Sequence, residues 1–204
     1  AKAPVILAGN GVIRQGAADE LVRFAEMLRI PVANIFMAKG VVPFSSEFSL
    51  GTIGLKARDL PWYAFEEADV VLCVGYDMVE YHPDMWNPDN DKKIVHIDAL
   101  PAEVDAHYVV AVGVLGDISS SLRALALKAR PQKIMPFKSV RKAIIEDRAG
   151  YANDLGFPVK PQKIVWDLRE VLGPEDIAIS DVGAHKMWMA RMYKAERPNT
   201  CIIS

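Results

Sequence analysis

Pro4-Val5-Ile6-Leu7-Ala8 is followed at once by Gly9-Asn10-Gly11. From Ala17 to Leu28 comes a run in which Leu21, Phe24, Ala25 and Leu28 recur at helical spacing, with Asp19, Glu20, Arg23 and Glu26 on the other faces. Consecutive apolar residues with no polar alternation suit a strand covered on both faces, as in a parallel sheet between two helical layers. A strand, a glycine break and an amphipathic helix make the opening unit of an α/β fold.

The pattern repeats outward from there. Pro31–Phe36, Asp69–Gly75, Lys93–Asp98 and Val109–Leu115 read as further strands. Pro61–Ala68 and Ile118–Ala129 read as helices, the latter with Leu122, Leu125 and Leu127 inward. Alternating strands and helices predict right-handed crossovers and a Rossmann-like, doubly wound parallel sheet over residues 1–130. Residues 131–160 read as a linker with a helix: prolines at 131, 136 and 158 punctuate it, Pro161 follows it, and Ser139–Asn153 is helical and highly charged. Residues 161–204 start a second α/β unit: a helix over Gln162–Leu172, a strand over Ile177–Asp181, the turn Asp181-Val182-Gly183, a helix over Ala184–Lys194 and a strand over Thr200–Ser204. One such unit cannot bury its own sheet face, so this second unit reads as incomplete and the chain as a fragment of something longer.

Charge and composition exclude several classes. The net charge of −2 over 204 residues, with no basic run, gives no footprint for nucleic acid or an anionic membrane. No apolar stretch is long enough to span a bilayer. Cys73 and Cys201 each lie in an apolar run, which makes them core thiols rather than a disulfide framework or a zinc site. A reducing cytoplasm is the expected home.

The polar residues leave alternatives open. Gly9-Asn10-Gly11 stands between a strand and a helix, where a dinucleotide pyrophosphate would meet backbone N–H groups. Arg14 occupies the next glycine position, and Asn34 rather than Asp ends the second strand, so a turn required by tight packing is the other reading. Asp98 and Asp117 each end a strand and could bond ribose hydroxyls. Asp117 before Ile118-Ser119 is equally a helix N-cap. No pair of histidines has metal-ligand spacing on a helix. His96 reads as structural, and His82 and His107 sit near turns. His185 opens a helix just after Asp181-Val182-Gly183, where N–H groups and an imidazole could hold a phosphate.

Four stretches carry a family likeness: Pro4–Val12, Ala68–Asn87, Ile94–Asp105 and Asp181–Arg191. Together they resemble the central domain and the start of the C-terminal domain of thiamine-diphosphate-dependent acetolactate synthases, the second stretch looking most like the catabolic branch. The resemblance implies a parent enzyme that condenses two pyruvates into 2-acetolactate and carbon dioxide, using thiamine diphosphate held by Mg²⁺, in a homo-oligomer whose active site lies between subunits. It implies that Gly183, Ala184 and His185 touch the diphosphate. It also implies that this chain carries neither the catalytic glutamate nor the Mg²⁺-binding motif, has no catalytic or metal-ligating residue of its own, and is inactive alone.

Anabolic members of that family bind FAD in the central domain. Here Asn10 replaces the middle glycine of their triple, Gly51-Thr52-Ile53-Gly54 replaces a loop with a Met-His pair, and Tyr76-Asp77-Met78-Val79-Glu80 replaces an arginine-flanked run. FAD is therefore doubtful, with Gly9, Asn10, Gly11, Asp98 and Asp117 as the pocket it would use. The alternatives are a stand-alone FAD- or NAD-binding module and another thiamine-diphosphate 2-oxo acid decarboxylase or ligase. A ligand-free central domain would serve to position its neighbours.

Overall fold

Five of the apolar segments and one further strand lie side by side, all parallel, in a computed structural model that describes residues 1–54 and 59–203. In chain order these are β1 (Pro4–Ala8), β2 (Val32–Asn34), β3 (Ser49–Thr52), β4 (Val70–Val74), β5 (Lys93–Asp98) and β6 (Val110–Leu115). Their order across the sheet is β3-β2-β1-β4-β5-β6, every pair parallel. This is the doubly wound topology expected from the alternation, and the direction of winding reverses between β1 and β4. β1 is buried at all five positions, which is why its sequence has no polar alternates.

The first turn after β1 is a short helix, α1 (Asn10–Arg14), where the sequence suggested only a break. α2 (Ala18–Leu28) buries Leu21, Phe24, Ala25 and Leu28, the stripe its spacing predicts. The buried leucines and the phenylalanine contribute about 1.5–3 kcal/mol each. α2 packs beside α4 (Ile118–Ala126) on one face of the sheet. α3 (Trp62–Glu67) joins β3 to β4, and the right-handed crossover rule puts it on the opposite face, because the chain there moves the other way across the sheet.

Residues 131–160 contain α5 (Lys138–Ala149), whose Ile144 belongs to the same buried cluster as the sheet, along with Met135 and Phe137. A second cluster begins at Val165. It lies among α6 (Pro161–Val171), β7 (Ala178–Ser180), α7 (Ala184–Met192) and β8 (Cys201–Ile203). β7 and β8 pair in parallel. On one face Ala178, Ser180, Cys201 and Ile203 are buried. On the other, Ile179 and Ile202 are register partners and are 75% and 45% exposed. The predicted strand Thr200–Ser204 is observed as Cys201–Ile203, with Ser204 outside the described residues. Cys73 sits in β4 and Cys201 in β8; both are free and buried. Among the described residues no helix is long and apolar enough to cross a membrane.

Candidate functional site

At the carboxyl edge of the six-stranded sheet, the turns after β1 and β4 are pressed together. The Gly9 N–H donates to the Val74 carbonyl (2.9 Å) and the Gly11 N–H to the Gly75 carbonyl (2.8 Å). A methyl group at Gly9 would lie 2.2 Å from the Gly75 carbonyl oxygen, and one at Gly11 would lie 2.6 Å from the Gly75 Cα. Gly75 itself has φ +59° and abuts the Val12 nitrogen. These glycines permit backbone-to-backbone contact at the point where a dinucleotide would enter. Their N–H groups are spent on the protein. Asn10 begins α1 between them.

Asp98 and Asp117 are similarly engaged. Asp98 Oδ1 accepts from the Ala99 N–H (2.6 Å), the Leu100 N–H (3.3 Å) and Gln15 Nε2 (3.2 Å). Gln15 Oε1 in turn accepts from the Ile118 N–H at 3.1 Å, so one glutamine ties α1, β5 and α4 together. Asp117 Oδ1 accepts from the Ser120 N–H (2.8 Å), which makes it the N-cap of α4. The cleft left beside Asp98, bounded by Arg14, Asp77, His96, Glu103 and Tyr108, is about 110 Å³. Pockets for ordinary small-molecule ligands run to roughly 300–1,000 Å³.

Beneath that cleft lies a closed aromatic and polar cluster. The Tyr108 hydroxyl is 2.9 Å from His96 Nδ1, and His96 Nε2 is 3.2 Å from the Leu100 carbonyl. A carbonyl only accepts, so the ring proton is on Nε2, and Nδ1 accepts from Tyr108. Burial beside the same group pushes the Cys73 thiol up to about 12. Trp86, 1% exposed, meets Phe65, Tyr76 and Tyr108 edge to face, and its Nε1 donates to the Tyr76 hydroxyl. His96 is thus structural, as its place in a strand suggested. His82, which sequence left without a partner, has Nδ1 3.0 Å from Asp84 and Nε2 3.8 Å from Asp105.

At the other end of the chain, Gly183 precedes α7 with φ +151°. The His185 ring lies over it, its Cε1 2.7 Å from where a methyl on Gly183 would stand. Gly183, Ala184 and His185 are all exposed. The first N–H groups of any helix have no partner within it. Together with the dipole and the imidazole they make a donor set suited to a phosphate edge. Asp181 is turned away from that role, with Oδ1 accepting from the Val182 N–H at 2.7 Å. Among the described residues no three His, Cys, Asp or Glu side chains are placed to hold a metal ion.

Sequence reading missed a third constellation, where α7 meets the six-stranded unit. Lys39 and Arg148 are each 5% exposed. Lys39 Nζ donates to the Ala190 carbonyl (2.8 Å) and to Thr52 Oγ1 (3.2 Å), and Arg148 Nη2 donates to the Arg191 carbonyl. Asp59 Oδ2 is 3.0 Å from Arg191 Nε. Nothing in the local sequence around 39 or 148 signals this, because the partners come from distant segments.

Burial raises the Asp59 carboxyl from 3.8 to about 6, against the opposing pull of Arg191 and Arg148. A carboxyl whose folded pKa is raised contributes stability that is complete below pH 3.8 and lost as pH climbs through about 6. The difference in unfolding free energy between wild type and Asp59→Asn, measured by denaturant titration, is expected to shift by roughly 2–3 kcal/mol between pH 4 and pH 7. A pH-independent difference would refute the assignment.

A family model described as thiamine pyrophosphate enzyme, central domain, matches residues 1–125. A probable acetolactate synthase large subunit of Methanocaldococcus jannaschii is 35% identical, covering 98% of this chain and 36% of the relative. An acetolactate synthase of Bacillus subtilis is 30% identical, covering 100% and 37%. An acetolactate synthase large subunit of Corynebacterium glutamicum is 33% identical, covering 100% and 34%. The chain spans about a third of the length of these curated relatives. A matched central domain, carried on a six-stranded doubly wound sheet, places this chain in the thiamine pyrophosphate enzyme family.

Proposed function

We propose that this chain is the central segment of a thiamine-diphosphate-dependent acetolactate synthase, which joins two pyruvates into 2-acetolactate with release of carbon dioxide. The observation that carries the reading is the extent of the likeness: it runs through both structural units to relatives named acetolactate synthase, without stopping where the six-stranded unit ends. In this reading residues 1–130 are the central domain, 131–160 the linker and 161–204 the opening of the cofactor domain. Gly183, Ala184 and His185 offer N–H groups and an imidazole to the diphosphate. Bound thiamine diphosphate supplies the carbanion chemistry needed to decarboxylate a 2-oxo acid. Mg²⁺, the catalytic glutamate and the pyruvate pocket belong to other parts of a cytoplasmic homo-oligomer. The six-stranded unit acts as a spacer without flavin: its glycine turns and aspartates are occupied by the protein, and the remaining cleft of about 110 Å³ is far too small for a dinucleotide.

Two assays test this. The full-length protein carrying this segment is expected to form 2-acetolactate from pyruvate with added thiamine diphosphate and Mg²⁺, while the 204-residue chain forms none. Another carboligation or decarboxylation product would move the protein to a different 2-oxo acid specificity, and turnover by the chain alone would overturn the division of labour. A flavin absorbance scan after FAD is added and excess removed is expected to be blank. Stoichiometric retention would instead favour a dinucleotide module.

A further inference from the structure

α7 carries the cofactor edge at its N-terminus, and its C-terminus ends in a cationic cup supplied by the other unit. The last carbonyls of a helix have no partner within it and carry its partial negative charge. In α7 two of these carbonyls, on Ala190 and Arg191, accept from the Lys39 ammonium and the Arg148 guanidinium. Lys39 follows a 3₁₀ turn at Phe36–Ala38, beyond the end of β2, and Arg148 lies in the last turn of α5. Neither has a carboxylate within ion-pair distance among the described residues. Burial lowers their pKa values to about 8 and about 10, with Cys201 and Arg148 the titratable neighbours of Lys39, and Asp147, Arg141 and Asp59 those of Arg148. Two buried cations without counter-ions are costly, and a cluster of apolar side chains would pack the same space more cheaply. What they have in place of a counter-ion is the end of a helix.

The cup is rigidly backed. Thr52 Oγ1 accepts from both Lys39 Nζ and Asn34 Nδ2 (3.1 Å), so the lysine is held from the carboxyl ends of β2 and β3. The Arg148 guanidinium lies over the Phe44 ring, 5.0 Å from its centroid. The Phe44 N–H donates to the Ala195 carbonyl just past α7 (3.0 Å), and Gly40 lets the Arg197 backbone approach so closely that a methyl would lie 2.1 Å from its carbonyl oxygen. A nine-residue helix is a stiff rod of about 13 Å, so fixing one end aims the other.

We propose that Lys39 and Arg148 are positioning residues: by capping the C-terminus of α7 from the six-stranded unit, they set where Gly183, Ala184 and His185 meet the diphosphate. This rests on the reading of the cofactor edge given above, and the test separates the two. Hydrogen exchange on the 204-residue chain is measured for Lys39→Met, Arg148→Met and the charge-preserving Lys39→Arg, and thiamine diphosphate titrations are run on the full-length protein with the same changes. Both Met variants are expected to lose about tenfold or more of the amide protection in α7 while β1 and β4 keep theirs. The thiamine diphosphate concentration for half-saturation is expected to rise about tenfold, with turnover at saturation changed much less, and Lys39→Arg is expected to restore both. If β1 and β4 also lose protection, Thr52→Val, which removes the lysine's hydroxyl acceptor, takes their place and must show the same selective loosening. Unchanged α7 protection overturns the clamp. Loosened α7 with unaltered cofactor affinity overturns the aiming role. Absence of thiamine diphosphate binding by the wild-type full-length protein overturns the cofactor reading itself, and with it the aim, while the exchange data still report the clamp.

Discussion

Gly9→Ala is expected to lower the unfolding free energy by roughly 3–4 kcal/mol, and the melting temperature by roughly 10 °C. The added methyl would stand 2.2 Å from the Gly75 carbonyl oxygen and 2.5 Å from the Tyr76 Cα, both backbone atoms that no rotamer change can move. Relief requires separating the turns after β1 and β4, and with them the bonds from Gly9 to Val74 and from Gly11 to Gly75. Gly16→Ala is the control. Gly16 has φ +61° but nothing within 4 Å of a new methyl, so its alanine costs only the left-handed conformation, about 1 kcal/mol. Denaturant titration of the two variants side by side separates close packing from backbone strain. Equal losses would show that the contact with Gly75 contributes little.

Trp86→Ala is expected to cost about 3–5 kcal/mol. The indole is 1% exposed and closes an aromatic group with Phe65, Tyr76 and Tyr108 over the carboxyl ends of β4 and β5. Its removal leaves a cavity that backbone strands cannot collapse to fill. It also takes away one side of the packing that holds Tyr108 against His96 and Cys73. Trp86→Phe, which keeps part of the ring contact but loses the bond to the Tyr76 hydroxyl, should fall between the two. Equilibrium denaturation decides the matter, and a loss under about 1 kcal/mol for the alanine variant would mean the loop of residues 76–87 does not hold the sheet edge.

The strands that sequence located to the residue are those whose burial is set by the sheet alone. β1 and β5 occupy Pro4–Ala8 and Lys93–Asp98 as the apolar runs and their glycine or aspartate ends predicted. β3 was not anticipated. Its Ser-Leu-Gly-Thr has little strand propensity, and Gly51 holds φ +74° with Arg148 and Phe44 against it, so its place depends on groups from far along the chain. The second strand was read as Pro31–Phe36 but ends at Asn34, because Phe36–Ala38 turns back to carry Lys39 under α7. α5 stops at Ala149 rather than Asn153, where Gly150 follows. The N-cap role of Asp117 was legible, since the capping partner is three residues away. A turn required by tight packing is one of the two readings that Gly9 and Gly11 allow, and the structure shows that packing; its partner, Gly75, is not legible, because local pattern cannot connect it to them. The cup around the end of α7 was invisible for the same reason: a lysine near a glycine and an arginine on a charged helix look like solvated surface until the fold brings both beneath one helix.

The two cysteines make the chain its own stopwatch. Cys73 lies in the middle of the six-stranded sheet and Cys201 in the two-stranded one; both thiols are free and buried, and they are the only sulfhydryls in the sequence. A maleimide added to the native protein can react with each only when its own unit opens. Mass spectrometry of the labelled peptides therefore gives two separate opening rates from one untagged sample. The ratio of those rates says whether the units breathe together, as a welded pair would, or whether the smaller sheet lets go first.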